Sequence, residues 1–147
     1  VMKLSLLRSP KRPDPTADMG THEFTYALLP HTGIVTEGDT IQEGAALNLP
    51  LQYFEGKAKD SGKAIVRLSD PSLYLDAVKR AEDGDGYVIR VHECRGGAHE
   101  VQLTSDYGIK RFAPCNLLEE KTGEVEEGGT ISFGIKPFEI RSYRVWF

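Results

Sequence analysis

Apolar and polar positions alternate along most of this chain, and that pattern predicts strands. Residues 2–7 put Met2, Leu4 and Leu6 on one parity and Lys3, Ser5 and Leu7 on the other, the period of a half-buried strand. Residues 22–29 repeat it, with Phe24, Tyr26 and Leu28 opposite Glu23, Thr25 and Ala27, until Pro30 ends the run. Between them, residues 9–22 hold Pro10, Pro13, Pro15 and Gly20, which predicts a long ordered loop. One short helix is predicted over 36–48. Thr36 or Asp39 can cap it, Ile41, Ala45 and Leu47 fall near one side, Gly38 and Gly44 weaken it, and Pro50 stops it. Residues 52–63 turn polar, with Lys57, Lys59, Asp60 and Lys63, and predict a flexible loop and a boundary.

From residue 64 onward, short strands and turns follow at regular spacing, as in a sandwich. Residues 64–69 form one strand and 73–81 the next, although Leu75, Val78 and Glu82 also suit a helix. Asp83-Gly84-Asp85-Gly86 is a tight turn. Tyr87, Ile89 and Val91 then alternate with Val88, Arg90 and His92, and Val101 and Leu103 alternate with Glu100 and Gln102. The turn at Gly96-Gly97 predicts a hairpin with a three-residue (or other odd) loop and Gly in the left-handed position: a loop over 95–97 pairs Cys94 with Ala98, Val91 with Val101 and Ile89 with Leu103, whereas a two-residue loop sets Val91 against Gln102. Ile131, Phe133 and Ile135 make a further strand. Phe138 and Ile140 share one parity and Tyr143, Val145 and Phe147 the other, so near Ser142 there is a bulge, a crossing between sheets, or a strand buried on both faces. The expected fold class is all-β, a β-sandwich with at most one short helix. The strand-like runs at both ends lead us to expect an excised C-terminal piece of a longer polypeptide.

Composition narrows the function. The 147 residues suffice to bury a core, and 39% apolar with 27% charged residues exclude intrinsic disorder. No apolar run is long enough for a bilayer-spanning helix, so no membrane partner is expected. The 18 basic residues are interspersed among 22 acidic ones, so no nucleic-acid partner is expected. Cys94 and Cys115 are too few for a disulfide framework and read as small buried hydrophobes. With no Asn-x-Ser/Thr acceptor present, the expected localisation is cytoplasmic.

The candidate chemistry is sparse. His22, His31, His92 and His99 form no helical i,i+4 pair and no Cys-x-x-Cys occurs, so no metal site is expected here; His92 and His99 read as half-exposed sheet residues. No nucleophile elbow, phosphate loop or dinucleotide fingerprint exists. Glu82, Asp83 and Asp85 are explained by turn chemistry. Asp14 and Asp18 lie with Arg8, Arg12 and His22 in a loop too polar for a core, and loops of that length are commonly functional or interfacial. Tyr26, Tyr53, Tyr74, Tyr107 and Trp146 would suit a sugar-stacking platform, but aromatics on strands usually serve a core.

A resemblance extends this reading. Leu4-Ser5-Leu6-Leu7-Arg8-Ser9-Pro10, Pro13-Asp14-Pro15, Asp18, Gly20, His22, Phe24, Tyr26 and Pro30-His31 resemble the C-terminal region of family 38 glycoside hydrolases, the α-mannosidases, in the branch found in bacteria and fungal vacuoles. Leu47-Asn48-Leu49-Pro50-Leu51, Lys79-Arg80-Ala81-Glu82-Asp83-Gly84-Asp85-Gly86, Arg90 with Glu93, Asn116-Leu117-Leu118-Glu119 and Pro137-Phe138-Glu139-Ile140-Arg141 follow in the same order. The resemblance implies that residues 1–66 end a β-supersandwich and 67–147 form a terminal immunoglobulin-like sandwich. It also implies a parent enzyme with upstream barrel and helical domains as partners. That parent hydrolyses terminal α-mannosides with retention, and its zinc and carboxylate nucleophile belong to the upstream parts. No catalytic residue and no cofactor are then expected in this chain. Arg8, Asp14, Asp18 and His22 become candidates for a substrate-side or domain-interface loop. The rival is a stand-alone carbohydrate-binding or interaction module; the mannosidase reading expects little sugar binding by the chain alone. It also expects exposed edges, apolar patches and self-association.

Overall fold

The computed structural model describes residues 1–36, 39–57 and 62–147. They fall into two units, Val1–Pro30 and His31–Phe147.

The first unit contains no strand. Residues 2–7 and 22–29 are not in any sheet, contrary to the alternation, and Leu4, Leu6, Phe24, Tyr26 and Leu28 are exposed. Period-two patterning shows which side chains a strand would bury, but a strand exists only where a second backbone completes its ladder. The Pro-rich loop is irregular as expected, tightened by turns from Asp14 to Ala17 and from Thr16 to Met19.

In the second unit, α1 (Thr40–Asn48) is the expected helix. The described part of its N-terminus begins at Asp39, whose carbonyl accepts from the Glu43 amide at 2.8 Å, while its side chain makes no cap bond; Gly38 lies outside the described residues. None of its side chains is buried. Residues 52–57 carry no regular structure as expected, and Lys59 and Asp60 of that predicted loop lie outside the described residues.

Eight strands follow among the described residues: β1 (Arg67–Leu68), β2 (Leu73–Arg80), β3 (Tyr87–Glu93), β4 (His99–Thr104), β5 (Arg111–Cys115), β6 (Glu126–Glu127), β7 (Ile131–Ile135) and β8 (Ile140–Trp146). They form two antiparallel sheets, ordered β1-β4-β7 and β2-β3-β8-β5-β6. The stretch 73–81 is thus a strand and not a helix, with a bulge between Leu75 and Ala77. Leu73, Ile89, Val91, Phe112, Tyr143 and Val145 of the larger sheet pack against Val101, Leu103, Ile131, Phe133 and Ile135 of the smaller one. Each such aliphatic side chain contributes roughly 1.5–3 kcal/mol by leaving water. The result is the expected all-β sandwich.

The proposed β3–β4 hairpin does not form. β3 pairs with β2 and β8, and β4 with β1 and β7, so Val91 opposes Leu75 and Arg141 while Val101 opposes Phe133. Ile89, Val91, Val101 and Leu103 do share one core, but they meet across the sandwich and not along a ladder. The phase change near Ser142 has the third of its three explanations. Strand β8 keeps an unbroken register with β3, and its residues 142–145 are all buried, Tyr143 and Val145 toward the core and Ser142 and Arg144 on the opposite parity.

The crossing from β3 to β4 turns on a charge. Glu93 follows the inward parity of Ile89 and Val91 and is 0% exposed. Its carboxylate accepts from the amides of Arg95 and Gly96, each at 2.8 Å, and from that of Phe138 at 2.9 Å. His99 Nε2 lies 3.7 Å away, and its Nδ1 is 3.3 Å from Asp70. Burial by itself raises the Glu93 carboxyl, but the amides of Phe138, Arg95, Gly96 and Gly97 outweigh it and hold the group below its ordinary value.

Glu93→Ala strands these N–H groups without an acceptor and is expected to cost about 3–5 kcal/mol, with Glu93→Gln costing about half as much, in urea denaturation. Because the folded-state value is depressed, the carboxylate's contribution is complete above the ordinary carboxyl range and is lost as pH falls through the folded value. Stability therefore drops below about pH 4 in the wild type and drops less steeply in Glu93→Gln; equal slopes would remove Glu93 from the acid response. In the β2–β3 turn, Gly86 has φ +86°, and a Cβ there would lie 2.8 Å from both the Val145 carbonyl oxygen and Trp146 Nε1. Gly86→Ala is expected to cost about 2–4 kcal/mol. Gly108→Ala, at φ +75° with open space around it, is expected to cost about 1–2 kcal/mol from backbone strain alone.

Candidate functional site

The loop singled out from sequence satisfies its own backbone. Asp14 Oδ1 accepts from the amide and the hydroxyl of Thr16, both at 2.9 Å, and the amide first and the hydroxyl second lower its carboxyl. His22 Nε2 meets the Asp18 carbonyl oxygen at 2.7 Å, so the contact joins ring to main chain and leaves the Asp18 carboxylate out of it. Asp18 itself adopts a left-handed φ of 57°. Arg8 is exposed and takes part in neither contact. Among the described residues, no hydrogen bond or ion pair joins the side chains of Arg8, Asp14, Asp18 and His22 to one another.

The outer face of the larger sheet carries a denser array. Lys79 Nζ donates to Glu119 at 2.8 Å and also to Glu82, while Glu119 accepts the Glu82 amide at 2.8 Å. Arg144, buried on β8, donates to Asp83 at 2.6 Å, and Asp83 also accepts the Asp85 amide at 2.9 Å. Arg90 reaches Ser142 at 3.0 Å and the Leu117 carbonyl at 3.3 Å. Lys79 lowers the Glu119 carboxyl, and Glu119 in turn raises the Lys79 ammonium. The Asp85 amide, then Arg144, lower Asp83. These partners bind the 116–120 segment and the β2–β3 turn to the sheet. The turn reading of Asp83 stands, and its reach to Arg144 adds a tie that the local sequence did not disclose.

A third assembly lies at the sheet end where β3 begins and β8 finishes. Asp106 accepts from Arg67 at 2.8 and 2.6 Å and from the Ala64 amide at 2.8 Å, and its own amide donates back to the Ala64 carbonyl at 3.0 Å. Arg67, then the Ala64 amide, hold the Asp106 carboxyl far below the usual range. These bonds bring Ile65 to Tyr107. The Lys110 amide donates to the Trp146 carbonyl at 2.8 Å and fixes the same loop to β8. Ile65, Gly86, Tyr87, Tyr107, Trp146 and Phe147 thereby line an open cleft of about 440 Å³. Trp146 Nε1 donates to Asp85 at 2.8 Å, the Arg111 guanidinium lies 4.6 Å from the Trp146 ring centre, and the Tyr87 and Phe147 rings are 5.5 Å apart. Tyr107 and Trp146 were among the sequence candidates for stacking. Tyr87, Phe147 and Ile65 were missed, and only the pairing of Tyr87 with Val145 reveals that β3 and β8 share this end.

Among the described residues no three His, Cys, Asp or Glu side chains converge as a metal ion requires. Cys94 and Cys115 are free and buried, the former donating to the Ser72 carbonyl at 3.0 Å.

Comparison with known proteins identifies this architecture. Residues 72–143 match the model described as "Glycosyl hydrolases family 38 C-terminal beta sandwich domain". The chain is 38% identical to alpha-mannosidase G of Dictyostelium discoideum over 96% of its own length and 14% of that protein's. It is 37% identical to alpha-mannosidase 2C1 of Mus musculus, over 97% of the chain and 14% of the relative. It is 34% identical to an alpha-mannosidase of Saccharomyces cerevisiae, over 100% and 16%. The chain therefore spans about one-seventh of the length of these curated relatives. No solved structure matches it. A sandwich that coincides with the family model, within a chain similar along nearly its whole length to three mannosidases, belongs to glycoside hydrolase family 38 as part of its C-terminal β region.

Proposed function

We propose that this chain is the non-catalytic C-terminal portion of an α-mannosidase and that its sheets brace the domains that cleave terminal α-mannosides. The observation that carries this reading is the similarity of nearly the entire chain to alpha-mannosidases of which it makes up only 14–16%. The chain's own polar groups fit the role: Glu93, Glu119, Asp83 and Asp106 accept bonds from neighbouring amides and cations, a use of charge that rigidifies a scaffold. The zinc that the family resemblance implies has no fitting ligand cluster among the described residues, so other parts of the enzyme would supply its ligands. The segment carrying Arg8, Asp14, Asp18 and His22 is the part we assign to the contact with those catalytic and helical domains. Its exposed Leu4, Leu6, Phe24 and Leu28 offer apolar area for the same contact.

The chain by itself is expected to show no turnover of an aryl α-mannoside, whereas the full-length enzyme containing it turns the substrate over. In that enzyme Arg8→Ala, Asp14→Ala and Asp18→Ala are each expected to lower Tm by ~2–4 °C or kcat/KM several-fold. Unchanged melting and kinetics in all three variants would remove the loop from the interface, and hydrolysis by the chain alone would overturn the bracing role.

A further inference from the structure

The cleft at the end of β3 and β8 is unlike the rest of the surface. Four of the six described residues that line it are aromatic, and its volume of about 440 Å³ lies within the roughly 300–1,000 Å³ range of small-molecule sites. The rings are held in place: Trp146 by the bond to Asp85 and by the Arg111 guanidinium, Tyr87 by Phe147, and the Tyr107 loop by Asp106 and Lys110. Tyr87 and Tyr107 are each somewhat under half exposed, so both remain accessible to a ligand. Gly86 lines the cleft without a side chain to obstruct it.

We propose that this cleft binds an uncharged pyranoside, stacked on its aromatic faces, as a non-catalytic sugar contact. The lining chemistry selects that class. Aromatic faces take the C–H face of a sugar ring, and two of the lining rings, Tyr87 and Tyr107, carry phenol hydroxyls that can exchange hydrogen bonds with sugar hydroxyls. The charges about the cleft are mixed, with the Asp85 carboxylate on the Trp146 indole and the Lys63 and Arg111 cations at the Tyr107 and Trp146 rings, so no single ionic class is selected. A purely aliphatic ligand would leave those polar groups without new partners. The choice of a mannoside as probe rests on the mannosidase reading above. The site itself rests on the rings, and it departs from the expectation that such a chain binds sugar little.

Trp146 is the only tryptophan of the chain and lines the cleft, so its fluorescence reports on this place alone. Titration of the 147-residue chain with methyl α-D-mannopyranoside and with an α-linked mannobiose is expected to give a saturable emission change, half-maximal in the millimolar range. Tyr107→Ala is expected to raise the half-saturating concentration about five-fold. Tyr53→Ala, an exposed tyrosine outside the cleft, leaves it unchanged. Urea midpoints of both variants separate a lost contact from a lost fold. A flat titration with folded protein overturns the proposal, as does equal weakening by both variants. An emission shift that follows protein concentration and ignores sugar shows that a second copy covers the cleft, and overturns it too. None of these results bears on hydrolysis by the full-length enzyme, which tests the mannosidase reading separately.

Discussion

A carboxylate without water has to be surrounded by donors, and the sandwich is organised around one. Glu93 sits at the end of β3 where the chain leaves the larger sheet for the smaller. Three amides from two separate segments converge on it, Arg95 and Gly96 from the crossing and Phe138 from the turn before β8. An apolar residue of the same size would fill the space but leave those N–H groups unpaired, and each such group costs about 1–3 kcal/mol. The charge therefore fixes where β3 ends and how β8 is entered. Since β8 lies between β3 and β5, that entry sets the register of the whole larger sheet.

Parity in the sequence correctly assigned the inward residues and misassigned their partners. Ile89, Val91, Val101 and Leu103 are all in the core, as alternation required. Alternation records which face a side chain takes, and a face is buried equally well by the opposite sheet as by the next strand. The informative exception was Glu93, an acid at an inward position followed by Arg95-Gly96-Gly97, which marks a buried charge fed by loop amides and not a tight hairpin. Residues 2–7 and 22–29 show the same limit from the other side. Their alternation is as regular as that of β3, yet ladder bonds come from elsewhere in space, and no residue-by-residue pattern encodes them.

The outer face of β8 explains why its phase was ambiguous. Ser142 and Arg144 fall on the parity that a one-sided sheet gives to solvent, but Arg90 meets Ser142, and Asp83 meets Arg144. A buried guanidinium is retained only when its partners offset the lost hydration, and here the β2–β3 turn delivers the carboxylate. The turn signal in Asp83-Gly84-Asp85-Gly86 was legible, but its two acids serve distant residues, Arg144 and Trp146. Local chemistry chose Asp, and tertiary structure gave each one a second task.

That division of labour connects the scaffold to the cleft. Asp83 holds the outer face of β8 through Arg144, and Asp85, two residues on, orients the indole that follows at Trp146. Gly86 then passes so close to Val145 and Trp146 that any side chain there would force the strand end or the turn to shift. The same turn thus sets both the packing of the central strand and the position of its terminal aromatic ring. A rigid ring loses little freedom when a ligand stacks on it, which is the physical reason for proposing a weak sugar contact at a braced strand end. On that proposal one set of bonds positions both the central strand and the binding ring, and a change that loosens the turn disturbs both.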